Sequence, residues 1–143
     1  MSKMLVLRGV AGFYDGRNWP RGAMHEGPAL EYAKRRGYEG TVLDISGEAY
    51  AGSPQSRLAL KEYQRDSTIT ALYGFSGGGY NIYHVIQGMK KAEKDRLQLV
   101  VVLGAPKLKA TAVQGPWELV YRIDPPGGHM DGPRALLAEL DKK

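Results

Sequence analysis

Residues 68–86 read Thr-Ile-Thr-Ala-Leu-Tyr-Gly-Phe-Ser-Gly-Gly-Gly-Tyr-Asn-Ile-Tyr-His-Val-Ile. The run from Thr68 to Tyr73 is apolar and β-branched, which predicts a strand, and residues 78–91 predict a helix. Between them, Gly74-Phe75-Ser76-Gly77-Gly78 matches the pattern Gly-x-Ser-x-Gly. Glycines on both sides of Ser76 leave room for a sharp turn. Such a turn, placed after a strand and before a helix, lifts the serine hydroxyl above the sheet within reach of a base and a substrate. It also aims the Gly77 N–H, at a helix N-terminus, toward an oxygen that becomes negative during acyl transfer. Without that context the pattern is weak. A glycine-rich turn can simply pack closely or cradle a phosphate, although no Gly-Lys-Ser/Thr ending of a P-loop follows here.

Outward from this turn, short apolar segments alternate with helical ones. Strands are expected at residues 4–7, 41–45, 68–73, 97–103 and 117–123, and helices at 28–36, 54–65, 78–91 and 133–140. Pro28 suits a first helical turn and Gly37 a C-terminal cap. Ser53 and Pro54 similarly open the second helix. This alternation predicts an α/β three-layer sandwich: a five-stranded, mostly parallel sheet with helices on both faces, in one domain spanning residues 1–143. The long connections 9–27 and 104–116 both follow strand C-termini, the edge where open parallel sheets bind ligands.

The bulk properties are those of an ordinary globular chain, with 43% hydrophobic and 24% charged residues among 143. No cysteine is present, which removes disulfides, thiolate metal sites and a cysteine nucleophile. The opening Met-Ser-Lys-Met-Leu-Val-Leu-Arg lacks the apolar run of a signal peptide. No stretch approaches the ~20 apolar residues that span a bilayer, so a cytoplasmic location is expected. The formal net charge is +5, but Lys34, Arg35, Arg36, Lys90, Lys91, Lys94, Lys107 and Lys109 are scattered. They read as solvated helix termini, and no nucleic-acid partner is expected.

The strand, serine turn and helix resemble the nucleophile elbow of the α/β-hydrolase superfamily. Arg8-Gly9-Val10-Ala11-Gly12 resembles the loop after that family's first core strand, usually His-Gly-x, with Arg8 at the histidine position. Gly128-His129-Met130, followed by Pro133-Arg-Ala-Leu-Leu, resembles its terminal histidine loop and last helix. The resemblance implies a minimal hydrolase core with strand order 2-1-3-4-5. It implies Ser76 as nucleophile, with the N–H groups of Gly77 and Val10 as the oxyanion hole.

A serine hydroxyl needs a base. His84 lies eight residues into the helix after Ser76, roughly 12 Å along its axis, and reads as a structural residue. His25 precedes the first helix. His129 alone satisfies the order Ser, acid, His and is the expected base. The family's usual positions for the acid are missing: one strand too few follows Leu103, and residues 105–116 contain no Asp or Glu. Asp124, at the end of the fifth strand, is the first choice and Asp131 the second, with Asp15 and Asp44 further alternatives. Either leading aspartate has a bland reading, Asp124 capping the Asp-Pro-Pro turn and Asp131 the last helix.

Phe13 and Tyr14, with Trp19 and Met24, could line an acyl pocket or tether the first loop. No metal or cofactor is expected, since no His-x-x-x-His or His-Glu-x-x-His pair occurs. The expected function is a small serine hydrolase, a carboxylesterase or lipase-like enzyme acting on a small-molecule, ester-like substrate. Two alternatives stand beside it: a non-catalytic binding module on the same fold, and a flavodoxin-like binder of nucleotide or phosphate, whose sheet has the same order.

Overall fold

A computed structural model describes residues 1–10 and 26–142. The strands are β1 (Lys3–Leu7), β2 (Glu39–Leu43), β3 (Ile69–Phe75), β4 (Leu99–Leu103) and β5 (Glu118–Arg122). The α-helices are α1 (Glu26–Arg35), α2 (Pro54–Arg65), α3 (Gly77–Gln87), α4 (Lys91–Arg96) and α5 (Gly132–Glu139). All four strand pairings are parallel and the order is β2-β1-β3-β4-β5.

The side-chain alternation of a strand divides the core in two. Leu5, Leu7, Leu72, Val100 and Val102 point to one face, where Tyr63 of α2 and Ile82 and Val85 of α3 meet them. Met4, Val6, Tyr73, Val101 and Leu103 point to the other, where Ala29 and Tyr32 of α1 and Leu136 of α5 cover them. Helices therefore lie on both faces, as the alternation of segments predicts. β3 is buried along its whole length, which is why its sequence shows a continuous apolar run rather than a polar–apolar alternation.

Element boundaries depart from the sequence reading by one or two residues at most ends, β3 running on to Phe75 and β4 starting only at Leu99, and two departures have a local cause or change an element. β2 spans 39–43 instead of 41–45, because the chain turns at Asp44: the Ile45 N–H donates to the Leu43 carbonyl and the Asp44 carboxylate is held by Arg8. The helix expected over 78–91 is two. α3 stops at Gly88, and α4 begins anew after Lys90, whose N–H donates to Glu93 Oε1 at 2.8 Å. α1 starts two residues early, at Glu26. The Ser53 cap is as expected, its Oγ accepting from the Ser56 N–H at 3.2 Å. Among the described residues no helix is long and apolar enough to cross a membrane.

The turn into β3 is held by Asp66. Its Oδ1 accepts from the Thr68 hydroxyl at 2.6 Å and the Thr68 N–H at 3.0 Å, while Oδ2 pairs with Lys3 Nζ at 3.2 Å. Those bonds to the charged form pull the Asp66 pKa down to about 2. A carboxyl depressed on folding contributes stability above its unfolded pKa, near ~4, and loses that contribution as pH falls through the folded value. Denaturant unfolding between pH 4 and pH 2 should therefore show a steeper loss of stability for the wild type than for Asp66→Asn.

Candidate active site

The sheet register assembles one row of residues at the carboxyl edge. Leu7 pairs with Gly74, Phe75 with Leu103, and Leu103 with Arg122. One or two residues further along each chain, Gly9, Ser76, Gly104 and Asp124 come together. The Ser76 N–H donates to the Leu103 carbonyl at 2.8 Å, and a methyl on Gly9 would touch Ser76 Cβ at 3.3 Å.

Ser76 has φ 57° and ψ −117°, and it is the one non-glycine residue with positive φ among those described. For an L-residue this backbone costs of order 1–3 kcal/mol and persists only where the surroundings impose it. Here they do. A side chain on Gly77 would overlap the Gly47 carbonyl, and one on Gly78 would overlap the Leu7 carbonyl and stand 2.8 Å from that of Arg8. The serine turn is thus pressed backbone to backbone against the end of β1 and the loop after β2. Gly77 opens α3, so its N–H has no partner within the helix.

A buried polar network braces the same corner. Gln55 Nε2 donates to the Arg8 carbonyl at 2.9 Å, and Asn81 Nδ2 donates to Gln55 Oε1 and to the Glu48 carbonyl, each at 2.9 Å. The Ser53 hydroxyl donates to Asn81 Oδ1 at 3.0 Å. All of these side chains are buried, and in a dry site a satisfied network resists displacement of any member. The sequence reading missed Gln55 and Asn81. Their one signal was polarity on apolar helix faces, visible only once the helices are docked.

The histidine and its acid come from one short stretch. A turn closed by the Gly128 N–H on the Pro125 carbonyl at 2.9 Å folds His129 back over Asp124. His129 Nδ1 lies 2.8 Å from Asp124 Oδ1. Of the two leading aspartates, Asp124 is therefore the one paired with the histidine. Asp131 precedes α5 without capping it, its carboxylate lying over Gly127, and Asp44 pairs with Arg8. The His129 ring stacks on Phe75, centroids 4.9 Å apart and planes 26° apart. The imidazole thus stands over the residue before Ser76. Among the described residues its side-chain hydrogen bond goes to Asp124 and none joins it to Ser76.

Gly104 forms the floor beneath the pair. Its φ is +64°, and a methyl there would stand 2.7 Å from His129 Cε1 and 3.0 Å from Asp124 Oδ1. Both facts demand glycine, and the sequence reading saw only the start of a loop.

No protein-family model matches this chain, and no curated protein does either. Val10 lies just past Gly9 and is partly exposed. Phe13, Tyr14, Ala11, Asp15, Trp19, Met24 and His25 lie outside the described residues. His84 sits two turns into α3, edge-on to Tyr83 at 5.4 Å, and partial burial lowers its pKa. A cleft of about 310 Å³ opens behind Asp124, lined by Ile123, Pro125, Pro126 and Leu136 among others. Among the described residues no group of three or more His, Asp or Glu side chains is arranged to hold a metal ion.

Gly104→Ala should cost about 1–2 kcal/mol for the left-handed backbone alone, read by denaturant unfolding. A crystal structure of that variant should show the His129 ring pushed off Phe75.

Proposed function

We propose that the protein is a small serine hydrolase of the α/β-hydrolase type, an acyl hydrolase for small ester-like substrates. The observation that carries this reading is the backbone of Ser76. A non-glycine residue held at φ 57° between a buried strand and a helix N-terminus is strain stored at one position, and strain of this kind gathers at functional sites. The His129–Asp124 pair at 2.8 Å, on the same strand edge, supplies the base such a serine needs.

In this reading Ser76 Oγ attacks the ester carbonyl carbon as His129 Nε2 takes its proton. The Asp124 carboxylate accepts from Nδ1–H, which leaves Nε2 as the basic nitrogen and favours the imidazolium once formed. The carbonyl oxygen becomes an oxyanion, held by the N–H of Gly77 and that of Val10. Collapse of the tetrahedral intermediate breaks the bond to the alcohol, which leaves with the proton from Nε2. Water, deprotonated by the same nitrogen, then attacks the acyl-enzyme, and Ser76 regains its proton as the acid departs.

The sheet order is also that of flavodoxin-like nucleotide binders. A phosphate cradle, however, gives the His129–Asp124 pair no task. In thermal shift, FMN, ATP and inorganic phosphate should leave the melting temperature unchanged.

A fluorophosphonate probe should label the folded protein and spare both Ser76→Ala and unfolded protein. His129→Ala should slow labelling by about 100-fold or more. Failure of the folded wild type to react would overturn the hydrolase reading.

A further inference from the structure

Three charges, two of them largely buried (Arg8 and Glu26) and one exposed (Asp44), stand beside the serine turn and take no part in the proton transfers. The Arg8 side chain is 6% exposed; its Nε lies 2.6 Å from Glu26 Oε1 and its Nη1 2.9 Å from Asp44 Oδ1. A guanidinium removed from water is costly unless paired. Here both partners come from other elements: Glu26 opens α1, and Asp44 follows β2. Arg8 and Glu26 also bracket residues 9–25, so their ion pair joins the two ends of that segment.

Other contacts hold the main chain next to Arg8. Its carbonyl accepts from Gln55 Nε2 at 2.9 Å, and the Gly9 carbonyl accepts from the Gly47 N–H at 3.0 Å. Gly9 in turn abuts Ser76 Cβ. The first peptide N–H beyond these anchors is that of Val10.

We propose that Arg8 is a positioning residue: through Glu26 and Asp44 it holds the Arg8–Val10 backbone against the serine turn, so that the Val10 N–H stays aimed at the oxyanion. The proposal rests on the hydrolase reading. Arg8 touches no reacting atom in this arrangement. The guanidinium fork suits the task because it reaches two carboxylates on different elements at once, whereas a lysine ammonium is a single point charge.

A donor aimed at charge that develops only in the transition state affects turnover more than substrate binding. A brace that merely keeps the chain folded leaves the turnover of the folded fraction alone. The test is steady-state hydrolysis of p-nitrophenyl acetate, with thermal melts, on wild type, Glu26→Gln, Asp44→Asn and Arg36→Gln. The last removes the Arg36–Glu118 ion pair, which lies outside the site, and controls for lost stability. Glu26→Gln should lower kcat by about 10-fold or more, given what a misaimed oxyanion donor costs, with KM within about twofold; Arg36→Gln should keep the wild-type kcat. A folded Glu26→Gln with wild-type kcat overturns the proposal, and so does an equal fall in Arg36→Gln. If Glu26→Gln does not fold, Asp44→Asn decides, because the Asp44 side chain is 81% exposed and dispensable for the core. There a fall of about threefold in kcat at unchanged KM supports the proposal, and wild-type kcat overturns it. A wild type that neither turns over ester nor takes up fluorophosphonate sinks the hydrolase reading, and the role of Arg8 with it.

Discussion

The corner of the molecule around Ser76 depends on one constraint: backbone lies directly on backbone where the serine turn meets the end of β1 and the loop after β2. Gly77 and Gly78 face the carbonyls of Gly47, Leu7 and Arg8 with no room for a side chain between them. That contact holds Ser76 in a conformation its own chemistry resists. It also presses α3 close to the sheet, so Ile82 and Val85 can fill the core above Leu72 and Val102. A close approach of this kind has little tolerance, because interiors are packed as densely as crystals.

Much of the architecture was legible because it rests on local rules. The apolar run of Leu99–Leu103 and the period-two split of β1 into Leu5/Leu7 and Met4/Val6 follow from a sheet covered on both faces. The Ser53 cap and the break at Gly88 are short-range effects, though only the first was read correctly. Where β2 ends was not legible. It depends on Arg8 capturing Asp44, a contact between residues 36 positions apart.

The candidate site divides along the same line. Ser76 and His129 stand out by motif and chain order. The choice between Asp124 and Asp131 stayed open, since both lie within five residues of His129 and either fits a turn. In the fold, the Pro125–Gly128 turn brings the Asp124 carboxylate to Nδ1 and leaves that of Asp131 over Gly127. Gly104, Gln55 and Asn81 were invisible for another reason. Their importance lies in what stands next to them in space, and single-residue chemistry carries no trace of that.

The turn that joins Asp124 to His129 has a consequence for how the site comes into being. The aspartate and the histidine it meets lie within six consecutive residues, 124 to 129, so their hydrogen bond is a contact within a short chain segment. The serine belongs to the opposite regime. Its position is reached only when β1, β3 and β4 have paired and the loops after β1 and β2 have closed around the turn, contacts that span most of the chain. The Ser76 backbone thus depends on contacts drawn from distant parts of the chain.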